Sequence, residues 1–120
     1  MAGRSNVIAY LEAGLRAAGL RAKVIGNNIA NLNTPGFRRS EVLFEQLLAK
    51  AIARGGQADL ADVRPVIHQP RSSPVAGNGN DVDLDREVGE MIKNGEKSRV
   101  LLRALAKVYS QMELAVRDRV

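Results

Sequence analysis

The chain has no cysteine and no tryptophan, and its 120 residues include only two phenylalanines, two tyrosines and one histidine. Lack of cysteine excludes a disulfide framework, thiolate metal sites and a cysteine nucleophile. His68 has no partner at ligand spacing for zinc. It stands in a proline-flanked loop, where a lone histidine is ordinarily solvated or bonded to backbone, and it is given no role. Four aromatic rings are too few for a platform that reads bases by stacking, and they leave an aliphatic core. No apolar run approaches the roughly 18 residues of a membrane span. The stretch Val7 to Leu11 is broken by Glu12 and is too short for a secretory signal, so if the protein leaves the cytoplasm it is expected to do so without signal cleavage. Paired carboxylates at cleft-forming positions are absent, as is a glycine-rich phosphate loop after a strand. No catalytic, cofactor-binding or metal-binding residue is assigned, and no enzyme is expected.

What is present is charge and helical periodicity. The formal net charge is +5, and Arg38-Arg39 with Arg16, Arg21 and Lys23 make the front half basic. That raises a small basic helical nucleic-acid-binding module as an alternative, set against the plainer account of a solvated charged face. The length allows one small domain. Ile8, Leu11, Leu15, Ala18, Ala22, Ile25, Ile29 and Leu32 follow an unbroken 3-4 spacing, which predicts a helix to about Leu32. Val88, Met91, Gly95, Ser98, Leu102, Leu105, Tyr109, Met112 and Val116 repeat it, with Leu101, Val108 and Ala115 widening the stripe.

Glycines inside both segments weaken them by about 1 kcal/mol each relative to alanine, so each needs a helix to pack on. Their pairing is assigned to Ile8, Leu11, Leu15, Ile25, Leu32, Leu102, Leu105, Tyr109 and Met112. The ends are expected to order fully only on assembly. A free-standing dimeric coiled coil is a third reading.

Between the seams, Ser40 to Ala53 reads as a short helix stopped by Arg54-Gly55-Gly56. Residues 54–80 read as loop, with one short edge strand at Val63–Ile67 around Pro65. The expected fold is mainly α. Residues 1–33 form an N-terminal heptad helix, 34–84 a turn, short helix and loop-rich middle with room for a small β element, and 85–120 a C-terminal heptad helix. Asp81, Asp83 and Asp85 alternate as in a calcium loop, but Arg86 stands where glycine must bend and Ile92 where a bidentate glutamate is needed. Asp83 or Asp85 is therefore read as the cap of the last helix.

The segment Asn27 to Phe37 carries most of the information. Four of its first seven residues are asparagine, a poor helix former, and Thr34-Pro35-Gly36 then forces a stop suited to a type II turn. So many amides before a forced turn point to bonds made outside the helix.

Asn28-Ile29-Ala30-Asn31 with Thr34-Pro35-Gly36-Phe37 closely resembles the N-terminal signature of the axial proteins of the bacterial flagellum, the basal-body rod protein family and its hook relatives. Glu41 to Glu45, and Asn78 to Glu87 with its alternating aspartates, resemble segments of short proximal-rod members. The resemblance covers about residues 7–48 and 77–117. It departs at Ser98, where such helices often carry tyrosine, and at Phe37, which replaces a commoner tyrosine. It implies a structural subunit of the (proximal) rod, whose terminal helices pair as a coiled coil and build a torque-transmitting axial tube. Implied partners are other copies, other rod proteins and the flagellar type III export apparatus. It implies no cofactor, no nucleic acid and no membrane insertion, and a place in the basal body as part of the periplasmic rod. Asn28, Ile29, Ala30, Asn31, Asn33, Thr34, Pro35, Gly36 and Phe37 would form the assembly motif.

Overall fold

A computed structural model describes residues 2–54 and 62–118. The elements run α1 (Ala2–Ala30), β1 (Glu41–Leu43), α2 (Glu45–Ala53), β2 (Val66–His68) and α3 (Leu84–Asp118). The mainly α fold with paired end helices is as expected. Asn28 meets Glu87, Ala18 meets Asn94, Gly14 meets Leu101 and Glu12 meets Tyr109, so α1 and α3 pack antiparallel. The result is a rod-like molecule of 67 × 28 × 14 Å.

α1 ends at Ala30, two residues short of the expected Leu32. The Asn31 N–H is shared between the Asn27 and Asn28 carbonyls, and the Leu32 N–H turns to Ile29 at 3.1 Å, tightening the last turn. The turn itself is as expected: the Phe37 N–H donates to the Thr34 carbonyl at 3.2 Å, and Gly36 lies at φ +75°.

The middle departs from the expected single helix over Ser40–Ala53. Glu41–Leu43 is instead a strand, antiparallel to Val66–His68 in the register Glu41–His68, Val42–Ile67, Leu43–Val66. The cause is non-local: both backbone polar groups of Ser40 are bonded to the Asn28 amide, which holds the chain extended beside α1. Val42 alone of the three points fully inward, joining Ala13, Ala17, Val24, Phe44 and Leu48 in the core. Leu48 and Ala51 are the buried residues of α2, and Ile52 is exposed. Arg54 closes α2; the expected stop at Gly55-Gly56 lies outside the described residues. β2 begins only after Pro65, whose missing N–H suits the start of an edge strand. His68 ends that strand, exposed, where a loop was expected.

Asp83 caps α3 by accepting from the Asp85 N–H at 3.1 Å. α3 presents Glu87, Asn94 and Leu101 to α1, one residue away from the expected column. Leu105 and Met112 are half-buried, whereas Leu102 and Tyr109 are 59% and 47% exposed. On α1, Leu11, Ala18 and Ile25 are buried and Ile8, Leu15 and Leu32 half-buried, while Ala22 is exposed. A second stripe, Ala13, Ala17 and Val24, faces the middle segment, because α1 has two neighbours to pack against.

Candidate functional site

The asparagine-rich end of α1, the turn and the lead-in to α3 meet in one polar junction. Asn28 is fully buried on the last turn of α1. Its Nδ2 donates to the Ser40 carbonyl at 2.9 Å and to Glu87 Oε2 at 3.2 Å, and its Oδ1 accepts from the Ser40 N–H at 3.0 Å. The amide thus bonds the backbone as a neighbouring strand would. Glu87, fully buried on the first turn of α3, accepts from Arg39 Nε at 2.6 Å. Arg39 also bonds Glu41 through Nη1, and its own N–H donates to Asp81 Oδ1. Burial alone would lower the Arg39 pKa, but hydrogen bonds and charge from Glu87 and Glu41 outweigh it and raise the value. The arginine stays charged, and its pairing answers the desolvation of both ions.

The second half of the junction holds the turn. Asn80 Nδ2 donates to the Asn31 and Thr34 carbonyls at 2.9 and 2.8 Å, capping the end of α1 from 49 residues away. Its Oδ1 accepts from the Val82 N–H at 2.7 Å. The Gly36 N–H donates to the Asn78 carbonyl at 2.9 Å, and the Asp81 N–H to the Phe37 carbonyl at 3.3 Å. Arg38 Nε pairs with Asp81 Oδ2 at 3.0 Å. Both carbonyls, just beyond the end of α1, already accept a turn N–H, from Thr34 and Phe37, and the Asn80 amide adds a second bond to each.

The motif residues divide. Asn28 is internal, and its amide is used up within the chain rather than offered to a neighbour. Asn31 Nδ2 bonds the Asn27 carbonyl at 2.8 Å, and Asn31 Oδ1 accepts from Thr34 Oγ1 at 3.0 Å. Ile29 and Phe37 are half-buried; Ala30, Asn33, Thr34, Pro35 and Gly36 are exposed. Asn80, Asp81, Arg39 and Glu87 belong to the junction but were not assigned a role from sequence. Their one visible signal was the resemblance of the 78–87 segment, together with the Arg38-Arg39 pair.

The junction holds geometry: its buried amides, carboxylates and guanidinium are bonded to one another and to backbone. Arg38 and Arg39, the residues that raised a nucleic-acid partner, are both spent on internal carboxylates. Among the described residues no group of three or more potential metal ligands occurs, and no helix is long and apolar enough to cross a membrane.

Residues 11–38 match the sequence profile of a family described as flagella basal body rod protein. The flagellar basal body rod protein FlgB of Bacillus subtilis (strain 168) is 30% identical over 119 residues, covering 91% of this chain and 92% of that protein. FlgB of Borreliella burgdorferi is 29% identical over 116 residues, covering 82% and 86%. The rod protein FlgG of Caulobacter vibrioides is 34% identical over 87 residues, which are 72% of this chain and 27% of that one.

Proposed function

Because the chain belongs to the flagellar basal body rod protein family and is a structural subunit of that rod, we propose that it is built into the proximal part through its terminal helix pair. The observation that carries this reading is the exposed column on α3. Val88, Leu102 and Val116 are 44%, 59% and 65% exposed and fall on one heptad position with Gly95, while Tyr109 at the same position is 47% exposed and donates its hydroxyl to Glu12 of α1 at 3.0 Å. An apolar column at that spacing is the half-interface of a helix-on-helix contact. Its occupants are the helix pairs of neighbouring subunits, both copies of this chain and other rod proteins.

The assembly motif serves this indirectly. The buried Asn28 and the Pro35-Gly36 turn fix where the chain leaves α1, while Asn33, Thr34 and Pro35 remain at the surface for a neighbour. Export through the flagellar type III apparatus without signal cleavage follows from the family resemblance and belongs to the same reading. Such a subunit carries torque through packing and hydrogen bonds and turns nothing over. Fractionation tests the proposal: a tagged chain is expected in purified basal bodies, at the level of the rod and not of the hook. Its absence from basal bodies of motile cells would refute it.

A further inference from the structure

α3 carries two heptad columns one residue apart. Glu87, Asn94, Leu101 and Val108 form one; Val88, Gly95, Leu102 and Tyr109 form the other. Periodicity favours the second as the inner face, since the first begins with a carboxylate and an amide. The structure buries the first. Glu87 and Asn94 are 0% and 6% exposed, while Val88 and Leu102 face solvent.

The choice is made by what α1 and its following segment offer. Glu87 meets the Asn28 amide and the Arg39 guanidinium. Asn94 Nδ2 donates to the Ala18 carbonyl at 2.8 Å, in the middle of the α1 face. Asn94 Oδ1 is the one buried side-chain polar atom without a hydrogen bond among the described residues. An amide held inside with half its capacity unmet is a poor stabiliser, and such residues in helix seams are best known for selecting one alignment over another.

We propose that Glu87 and Asn94 are positioning residues that fix the rotation of α3 about its axis. They hold inward the column a hydrophobic count would reject, and so keep the more apolar column outward. Turning α3 by one residue, about 100°, would exchange the columns, take Glu87 away from Arg39 and Asn28, and break the bond from Asn94 to the Ala18 carbonyl. The rotation is a property of the single chain. That the outward column meets other subunits rests on the function proposed above.

Cross-linking on the isolated full-length chain reads the rotation directly, and the lack of native cysteine removes background. A Cβ placed on Gly14 lies 3.9 Å from Leu101 Cγ, close to where a sulfur at 101 would sit. Gly14→Cys with Leu101→Cys is therefore expected to close under mild oxidation, outpacing Gly14→Cys with Leu102→Cys by about tenfold or more. In a Glu87→Ala, Asn94→Ala background the two pairs are expected to close within about threefold of each other. Asn94→Ala alone should raise closure at 102 severalfold, and it decides the matter if the double variant loses its helical circular dichroism. Exclusive closure at 101 in the folded double variant, or in Asn94→Ala where the double does not fold, would overturn the proposal. So would equal closure of both pairs in the otherwise native chain. Basal-body incorporation is scored separately, so the rotation and the rod reading can fail independently.

Discussion

Replacing Asn28 with alanine is the most informative single change to this chain. The side chain is fully buried and makes three hydrogen bonds, two to the backbone of Ser40 and one to Glu87. Glu87 keeps Arg39, but the Ser40 N–H and carbonyl lose their recorded partners. Each group left unsatisfied costs about 1–3 kcal/mol, so a net loss of about 2–4 kcal/mol is expected once water reaches part of the site. In a chain of this size about 1 kcal/mol moves the melting temperature by about 4 °C, giving a fall of roughly 8–16 °C. The assay is thermal and urea unfolding of the purified chain followed by circular dichroism. Two controls separate the causes. Asn28→Leu keeps the heavy-atom count and branching without hydrogen bonds and should fall at least comparably. Asn33→Ala touches an exposed motif residue with no side-chain hydrogen bond among the described residues and should stay within about 0.5 kcal/mol. If Asn28→Leu melted with the native chain, or Asn33→Ala fell as far as Asn28→Ala, the junction would not be held as described.

Other perturbations address the turn, the charges and the outer face. Gly36→Val places a β-branched residue at φ +75° with no side-chain clash to blame, so it should cost about 1–3 kcal/mol and prevent rod assembly without abolishing synthesis, read by melting and by swarming. Burial pushes the Glu45 carboxyl up, yet hydrogen bonds from Arg21 and Lys97, its own N–H and the Arg21 charge outweigh it and hold the value at about 2, against an ordinary 4.5. Its contribution is therefore whole above about pH 4.5 and lost as pH falls through 2. Because Glu45 is 47% exposed, the gain is at most about 1 kcal/mol. The stability gap between native and Glu45→Gln should close over that window; a gap that widened on acidification would reverse the sign. Leu102→Glu should leave melting within about 0.5 kcal/mol, since the residue is already 59% exposed, yet exclude the chain from basal bodies. Normal incorporation would remove the outer column from the assembly surface.

The legible parts were those whose causes lie close in sequence. The end helices follow from repeated apolar spacing, the turn from Pro35-Gly36, and the cap of α3 from an aspartate next to its first turn. Two features escaped because their causes are distant. Glu41–Leu43 carries helix-compatible residues, and distant partners hold it extended: the Asn28 amide on Ser40, 12 positions away, and the pairing with Val66–His68. The rotation of α3 depends on Arg39 and Ala18, 48 and 76 positions from the residues they bind. A hydrophobic count gives such polar contacts no weight. Two adjacent columns that differ by one residue cannot be separated without them.

The same contacts explain why the two recognisable segments travel together in one chain. Asn28, Asn31, Thr34, Gly36 and Phe37 on one side are bonded to Asn78, Asn80, Asp81 and Glu87 on the other, and neither side closes alone. Among the described residues, those from Phe44 to Val75 contribute none of these bonds. The middle is thus tethered at both ends to a junction it does not help to hold. Lengthening the connection between α2 and β2, with the core residues Phe44 and Leu48 kept, would cost mainly loop-closure entropy, about 0.6 kcal/mol per doubling. Helix pairing and the exit direction of the turn would then persist through changes in the length of that connection.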